Sequence, residues 1–388
     1  MARQKITILG ATGSIGLSSL QVIEQHSDLF EVFALTAYTQ KEKLLKLCFK
    51  HQPKFAVMAN QTDSDWLKDQ LGGYSKTQVL AGLSALRDVA SDSEVDVVIS
   101  AIVGAAGAIP TFAAAQAGKR ILLANKETLV LAGKLFLQVV KKSGSLVLPV
   151  DSEHNAIFQV LPHKLEQVKN IVLTASGGPF LHTPLKQLEQ VAVVEALSHP
   201  NWRMGTKISI DSATMMNKAL EVIEASWLFN LPADKIKVVI HPESIIHSMV
   251  RLIDESVLAQ LGVTDMKIPI EYCLAYPERI ESGANELDFE CMSELHFMKV
   301  DPKRFPALGL AYQVLEEGLD SGCILNAANE VAVGLFLENK IKFTDIYFLV
   351  VEVLNNLASE EYSDLETLLY KDNIVRQKTL ELATRNFN

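Results

Sequence analysis

The chain has 388 residues, of which 48% are hydrophobic and 21% charged, with a formal net charge of -10. This length is too great for one hydrophobic core and predicts two or three domains of a soluble globular protein. The acidic balance without a long basic run argues against a nucleic-acid surface, and no apolar run reaches the ~20 residues that cross a bilayer. The four cysteines (Cys48, Cys273, Cys291, Cys323) form no C-x-x-C pair, which argues against a disulfide framework or a zinc site.

The chain enters a strand almost at once, at residues 5–9, leaving no room for a leader peptide. The expected setting is a bacterial cytoplasm with reduced cysteines. The glycine turn GATGSIG follows, with Gly10, Gly13 and Gly16, and then a helical pattern over residues 17–25. A strand, a glycine turn and a helix N-terminus together make a pocket for pyrophosphate, because free backbone N–H groups and the helix dipole face the anion. The spacing is G-x-x-G-x-x-G, which also suits an ordinary strand-to-helix turn. Strand signals then alternate with helical ones at residues 32–38, 55–58, 95–102, 120–124 and 146–150, as in a doubly wound parallel sheet, and this favours dinucleotide binding. No acid stands at the end of the second strand to hold a ribose 2'-hydroxyl. Tyr38 can stack on adenine, while Thr39, Gln40 and Lys41 can face a 2'-phosphate, so NADP is expected over NAD. SAIVGAAG, residues 100–107, is a second small-residue turn, and Asn125, Lys126 and Glu127 stand at the carboxyl end of a later strand, where open α/β sheets bind ligands.

Next comes LPVDSEHNAIF, residues 148–158. If residues 146–150 form a strand, Asp151 and Glu153, two apart, share a face, and two hard oxygen donors suit Mg2+ or Mn2+. The same residues suit a helix start, with Asp151 or Ser152 as N-cap and Glu153 in the first turn. From Ser176, Gly177, Gly178 and Pro179 to about Thr206 the periodicity is lost, which predicts a lid or binding loop. On it, Trp202 either covers a ligand or anchors the loop to the core. Ser212 is read as a helix cap, followed by the stripe Met216, Leu220, Ile223 and Trp227. Opposite the stripe, Asn217, Lys218 and Glu221 lie within one turn; they are either a solvated ion pair or a ligand cluster in which Glu221 supplies a third oxygen donor. Strands are expected at residues 237–240, 248–253 and 257–261, with His241 and His247 structural or functional. Helices are expected at 307–317, 325–338, 345–356 and 364–382.

Taken in order, GATGSIG, AIVGAAG, LLANKE, VDSEHNAIFQ, SGGPF, HPNWRMG, KISIDSATMMNKALE and HPESIIHSM closely resemble the 1-deoxy-D-xylulose 5-phosphate reductoisomerase family over nearly the whole chain. The resemblance implies a homodimeric enzyme that rearranges and reduces 1-deoxy-D-xylulose 5-phosphate to 2-C-methyl-D-erythritol 4-phosphate in the non-mevalonate isoprenoid pathway, with NADPH and a divalent metal (Mg2+, Mn2+ or Co2+). It implies metal ligands at Asp151, Glu153 and Glu221, with Lys126 and Glu153 moving protons. The implied substrate contacts are Lys126, Ser152, Glu153, Ser176, His199, Ser212, Asn217, Lys218 and Glu221, under a mobile flap that carries Trp202. Thr12, Gly13, Ser14, Ile15, Asn125, Glu127 and Gly205 would contact NADPH, and Gln40, read above as facing the 2'-phosphate, joins them as a cofactor residue. The chain departs from the family's usual A-G-x-N after the second strand, carrying Ala37, Tyr38, Thr39 and Gln40 instead.

The expected fold is α/β, and its first part is an N-terminal Rossmann-like NADPH-binding domain (1–150). A central α+β catalytic domain (151–285) with a flap at 176–206, a linker (286–304) and a C-terminal helical bundle (305–388) complete it. A metal-independent NADP-dependent dehydrogenase and a non-catalytic dinucleotide sensor are the rival readings. The dehydrogenase would have no use for three metal-directed carboxylates, and the sensor would not need Lys126, Glu153 or the flap.

Overall fold

The computed structural model describes residues 3–202, 204–292 and 294–386, so Arg203 of the expected flap lies outside the described residues. The chain divides into two compact units, the first built from residues up to Thr128, Phe136–Asn155 and Asp265–Asn285, and the second from Leu129–Leu135, Ala156–Thr264 and the chain from Glu286 on.

The first unit holds β1 (Gln4–Leu9), β2 (Phe30–Ala37), β3 (Phe55–Met58), β4 (Gln78–Ala81), β5 (Val97–Ser100), β6 (Arg120–Leu123) and β7 (Leu146–Pro149). They form one parallel sheet in the order β4-β3-β2-β1-β5-β6-β7. Such strands are covered on both faces by helices, which is why they read as continuous apolar runs; Ile6, Ile8, Leu35, Ile99 and Leu122 are fully buried. The chain winds outward from β1 through β4 and returns on the other side with β5 to β7, so the strand order reverses between β1 and β5. At that reversal, outside the carboxyl ends of the strands, open sheets bind their ligands. Helix Lys267–Ala275, far away in sequence, comes back to pack on helix Ser14–Gln25.

The second unit holds β8 (Val168–Ala175), β9 (Ile236–Ile240), β10 (Ile246–Leu252) and β11 (Val257–Leu261) in the order β11-β10-β8-β9. β8 and β9 are parallel, and β10 is antiparallel to both β8 and β11. Leu173 and Ile236 of this sheet, Leu220 and Ile223 of helix Met216–Phe229, and Ile324, Val350 and Val375 further on belong to one hydrophobic core. The C-terminal helices thus share their core with the segment from residue 156. Helix Ser321–Leu337 is apolar nearly all round and lies at the centre, buried along its length, as such helices must be.

Two local expectations are corrected. Ser212 does not cap the helix that bears Asn217; it lies inside a separate helix, Thr206–Ala213. The break falls at Met215, which takes a left-handed conformation (φ 64) as the N-cap of Met216–Phe229 and has no glycine or proline to announce it. Likewise β7 stops at Pro149, so residues 151 and 153 are not strand positions.

Candidate active site

In the first unit the glycine turn forms a cradle. Gly10 has a positive φ (84), and a Cβ there would stand 2.6 Å from the carbonyl oxygen of Ala101. A Cβ on Gly16 would meet the Cα of Ala11 at 2.6 Å, so only glycine lets the helix come this near to the strand. Gly13 caps helix Ser14–Gln25 without any side-chain hydrogen bond, which leaves the helix's first N–H groups for an anion. Thr12 is buried, and Gly13, Ser14 and Ile15 line the opening. These features fit a dinucleotide pyrophosphate.

Asn125 is buried and rivets the neighbouring loop, its Nδ2 donating to the carbonyls of Ile102 (2.6 Å) and Gly104 (3.0 Å) and to Glu127 (3.0 Å). At the end of β2, Tyr38, Thr39 and Gln40 are exposed. Lys41 does not join them: its Nζ pairs with Asp63 at 2.7 Å and sits over the Trp66 ring. A cation that sequence reasoning passed over does reach the turn. Lys43 donates from Nζ to the carbonyl of Thr12 at 2.6 Å; its signal was its place in the first turn of the helix after β2.

At the carboxyl end of β7 the two readings of D-S-E prove compatible. Helix Ser152–Val160 does begin here, the Asn155 N–H donating to the Asp151 carbonyl at 2.8 Å with Glu153 in the first turn. The carboxylates of Asp151 and Glu153 nevertheless bring an oxygen each to within 4.8 Å of one another. Lys126 Nζ lies 2.5 Å from Asp151, His154 Nδ1 lies 3.7 Å from it, and Ser152 Oγ donates to Glu153 at 2.6 Å. Burial of Asp151 opposes its charge, but the Lys126 ammonium and His154 overcome that and hold its carboxyl well below the usual range. Asp151 is therefore an ionised, acceptor-only group, a fitting donor for a hard divalent cation.

In the second unit, Ser176 Oγ and His199 Nε2 are 2.9 Å apart. The N–H groups of Asn201 (3.2 Å) and Trp202 (3.0 Å) both donate to His199 Nδ1, which leaves Nε2 to carry the proton of the neutral ring and donate to Ser176. A Cβ on Gly178 (φ 67) would stand 2.9 Å from the carbonyl oxygen of Ser212, so this glycine lets the Ser176 turn approach the end of helix Thr206–Ala213. A pocket of about 690 Å³ opens between Ser176, Gly178, Ser198, Asn201 and Glu243. Trp202 is half-buried, edge-on to His247. His241 accepts the N–H groups of Ile245 and Ile246 at Nε2 and meets the carbonyl of His296 at Nδ1, a structural role. One turn into Met216–Phe229, Asn217 and Lys218 both bond the carboxylate of Glu221, and Lys218 and Glu221 are buried. This is no solvated helix face. Gly205 is exposed and N-caps helix Thr206–Ala213.

Three family models match the chain: 1-deoxy-D-xylulose 5-phosphate reductoisomerase over residues 6–133, the C-terminal domain of that enzyme over 147–229, and the DXP reductoisomerase C-terminal domain over 261–378. The chain is 53% identical over 384 residues to 1-deoxy-D-xylulose 5-phosphate reductoisomerase of Methylobacillus flagellatus, covering 97% of each. It is 51% identical over 390 residues to the Pseudomonas aeruginosa protein of that name, covering 99% of this chain and 98% of the other. Among solved structures, DOX-P reductoisomerase in complex with NADPH, fosmidomycin and magnesium superposes with a TM-score of 0.94 at 44% identity, over 99% of this chain and 100% of that one. The Zymomonas mobilis reductoisomerase in complex with NADPH gives 0.92 at 43%, over 99% of each.

Proposed function

The chain belongs to the 1-deoxy-D-xylulose 5-phosphate reductoisomerase family, and from that premise we propose which of its residues carry the reaction. It is an NADPH-dependent oxidoreductase that, with a divalent metal, converts 1-deoxy-D-xylulose 5-phosphate to 2-C-methyl-D-erythritol 4-phosphate for isoprenoid synthesis. The metal-free dehydrogenase and the sensor are not favoured. The observation that carries the residue assignment is the pair of carboxylates at the end of β7, one of them held ionised by Lys126.

Asp151, Glu153 and Glu221 would hold the metal. When bound, the metal supplies Lewis-acid charge and NADPH supplies the hydride. The remaining work falls to the chain's own side chains. Lys126 donates a hydrogen bond to the substrate oxygen on which negative charge develops, and Glu153, braced by Ser152, exchanges the hydroxyl proton. Ser176, His199, Ser212, Asn217 and Lys218 bind the phosphate and hydroxyls through hydrogen bonds and one ammonium charge. Trp202 closes over the substrate and keeps water out. Thr12, Gly13, Ser14, Ile15, Gln40, Asn125, Glu127 and Gly205 line NADPH.

The functional partition we propose has NADPH on 1–150 and the metal and substrate groups on 151–285, with a link at 286–304 and support from 305–388. We also propose a homodimer working in the cytoplasm; no helix among the described residues is long and apolar enough to cross a membrane. The test is NADPH oxidation with 1-deoxy-D-xylulose 5-phosphate, first with chelator and then with Mg2+ restored. Turnover that vanishes and returns supports the carboxylate site, and turnover indifferent to chelator would refute it.

A further inference from the structure

The strand end that reads the ribose in this fold carries no acid and no arginine, only the exposed Tyr38, Thr39 and Gln40. NADPH carries a 2'-phosphate there, and a dianion held only by hydroxyl and amide groups would gain little over NADH. A cation is needed, and the helix Lys41–His51 that follows β2 is rich in them, with Lys41, Lys43, Lys46, Lys50 and His51 against the single acid Glu42.

Geometry separates these candidates. Lys41 comes first in the chain but is taken up by Asp63 at 2.7 Å and by the face of Trp66. Lys46 is exposed, and Lys50 pairs with Glu24 at 2.7 Å. Lys43 alone among them reaches back to the cofactor turn, with Nζ 2.6 Å from the Thr12 carbonyl and its side chain half-buried. A neutral carbonyl takes one of the three ammonium protons and leaves the charge uncompensated, with two donors to spare. The Thr12 contact also fixes where that charge sits, between the glycine turn and the end of β2.

We propose that Lys43 is the residue by which this chain recognises the 2'-phosphate of NADPH, supplying the positive charge that Tyr38, Thr39 and Gln40 lack. The assignment rests on NADPH lying along the Gly10–Gly13 turn. Because Lys43 touches only the adenosine end, it acts on cofactor choice and has no part in the rearrangement.

The experiment is equilibrium binding of NADPH, NADH, 2',5'-ADP and 5'-AMP to the full chain by calorimetry, on wild type and on Lys43→Gln, Lys43→Arg and Lys41→Ala, with far-UV circular dichroism as a check on folding. Loss of one charge-assisted contact predicts that Lys43→Gln weakens NADPH and 2',5'-ADP by about 10- to 100-fold. NADH and 5'-AMP should change by less than about 3-fold, within the scatter expected for a contact they do not make. Lys43→Arg should restore most of the discrimination, and Lys41→Ala should leave it unaltered. A Lys43→Gln chain that loses NADH and NADPH alike, or a Lys41→Ala chain that loses the discrimination instead, overturns the assignment. A wild-type chain that binds 2',5'-ADP no better than 5'-AMP does not recognise the 2'-phosphate and overturns the assignment, whereas one that binds neither nucleotide overturns the placement of the cofactor along the turn.

Discussion

Asp151 carries a charge that its burial alone would forbid, and the ammonium of Lys126 beside it is what reverses the balance. A carboxyl whose folded pKa lies below its unfolded value of 3.8 stabilises the fold fully above 3.8. That contribution is lost as pH falls from there through the lower folded value. Thermal unfolding in metal-free buffer below pH 3.8 should therefore fall more steeply with acid for wild type than for Asp151→Asn. Parallel curves would show that Asp151 is not held ionised. Glu221 poses the opposite case: with Lys218 buried against it, Glu221→Gln leaves an ammonium short of its counter-charge, at a cost of about 3 kcal/mol. The folded fraction should still bind NADPH but lose at least about 100-fold in metal-dependent turnover, the scale of losing a charged group at a metal site; near-normal turnover per folded molecule would remove Glu221 from the site. These residues were legible by type: acids two apart after an apolar run, and an acid, a lysine and an amide within one turn. A shared strand face is not what brings Asp151 and Glu153 together, because β7 ends at Pro149. Lys43 was hidden because only the return of its ammonium to Thr12, 31 positions back, sets it apart from its neighbours on the helix.

The segment Glu127–Ser143 is two helical stretches joined across a kink at Ala132 (φ -143), and just past the kink Gly133 meets Trp227 of helix Met216–Phe229. Inside an unbroken helix, replacing glycine by alanine stabilises by about 0.5–1 kcal/mol. A Cβ on Gly133, however, would stand 2.4 Å from Cδ1 of Trp227. The indole is packed against the second unit's core and has little room to retreat. Gly133→Ala should therefore destabilise by about 1–3 kcal/mol, read from chemical denaturation. Trp227 shares its helix with Asn217, Lys218 and Glu221, so substrate KM should rise as well; a more stable variant with unchanged KM would refute the contact. At this scale the strands of the parallel sheet were readable to within a residue or two, since buried parallel strands are continuous apolar runs ended by turns. β4, four partly exposed residues at the sheet edge, was not read, having neither a run nor an alternation to show. The split between Thr206–Ala213 and Met216–Phe229 was also missed, because tertiary packing of a buried Met215 supports a left-handed residue that local propensity disfavours.

Length alone indicated more than one core, but not that the first unit would be closed by residues 265–285 or that the helices after residue 305 would share a core with β8 to β10. Such joins are made between segments far apart in the chain, and nothing local in either segment records them. Among the described residues β11 is an apolar, exposed sheet edge: it pairs there with β10 and no other strand, and Val257 (47% exposed), Leu258 (42%) and Leu261 (37%) stand out to solvent beside Ile253 (65%). An apolar edge strand of this kind is an aggregation hazard unless something covers it. The homodimer proposed above would meet that need, because the same strand laid antiparallel across a two-fold axis would pair with itself and close the assembly. Val257 and Leu261, four apart, lie on one face of the strand. The double variant Val257→Lys, Leu261→Lys would place like charges from both copies near the axis, where they repel. Sedimentation at micromolar concentration should give a dimer for wild type and a monomer for the variant, with far-UV circular dichroism unchanged. A wild type that sediments as a monomer would refute the dimer, and a variant that stays dimeric would move the interface away from β11.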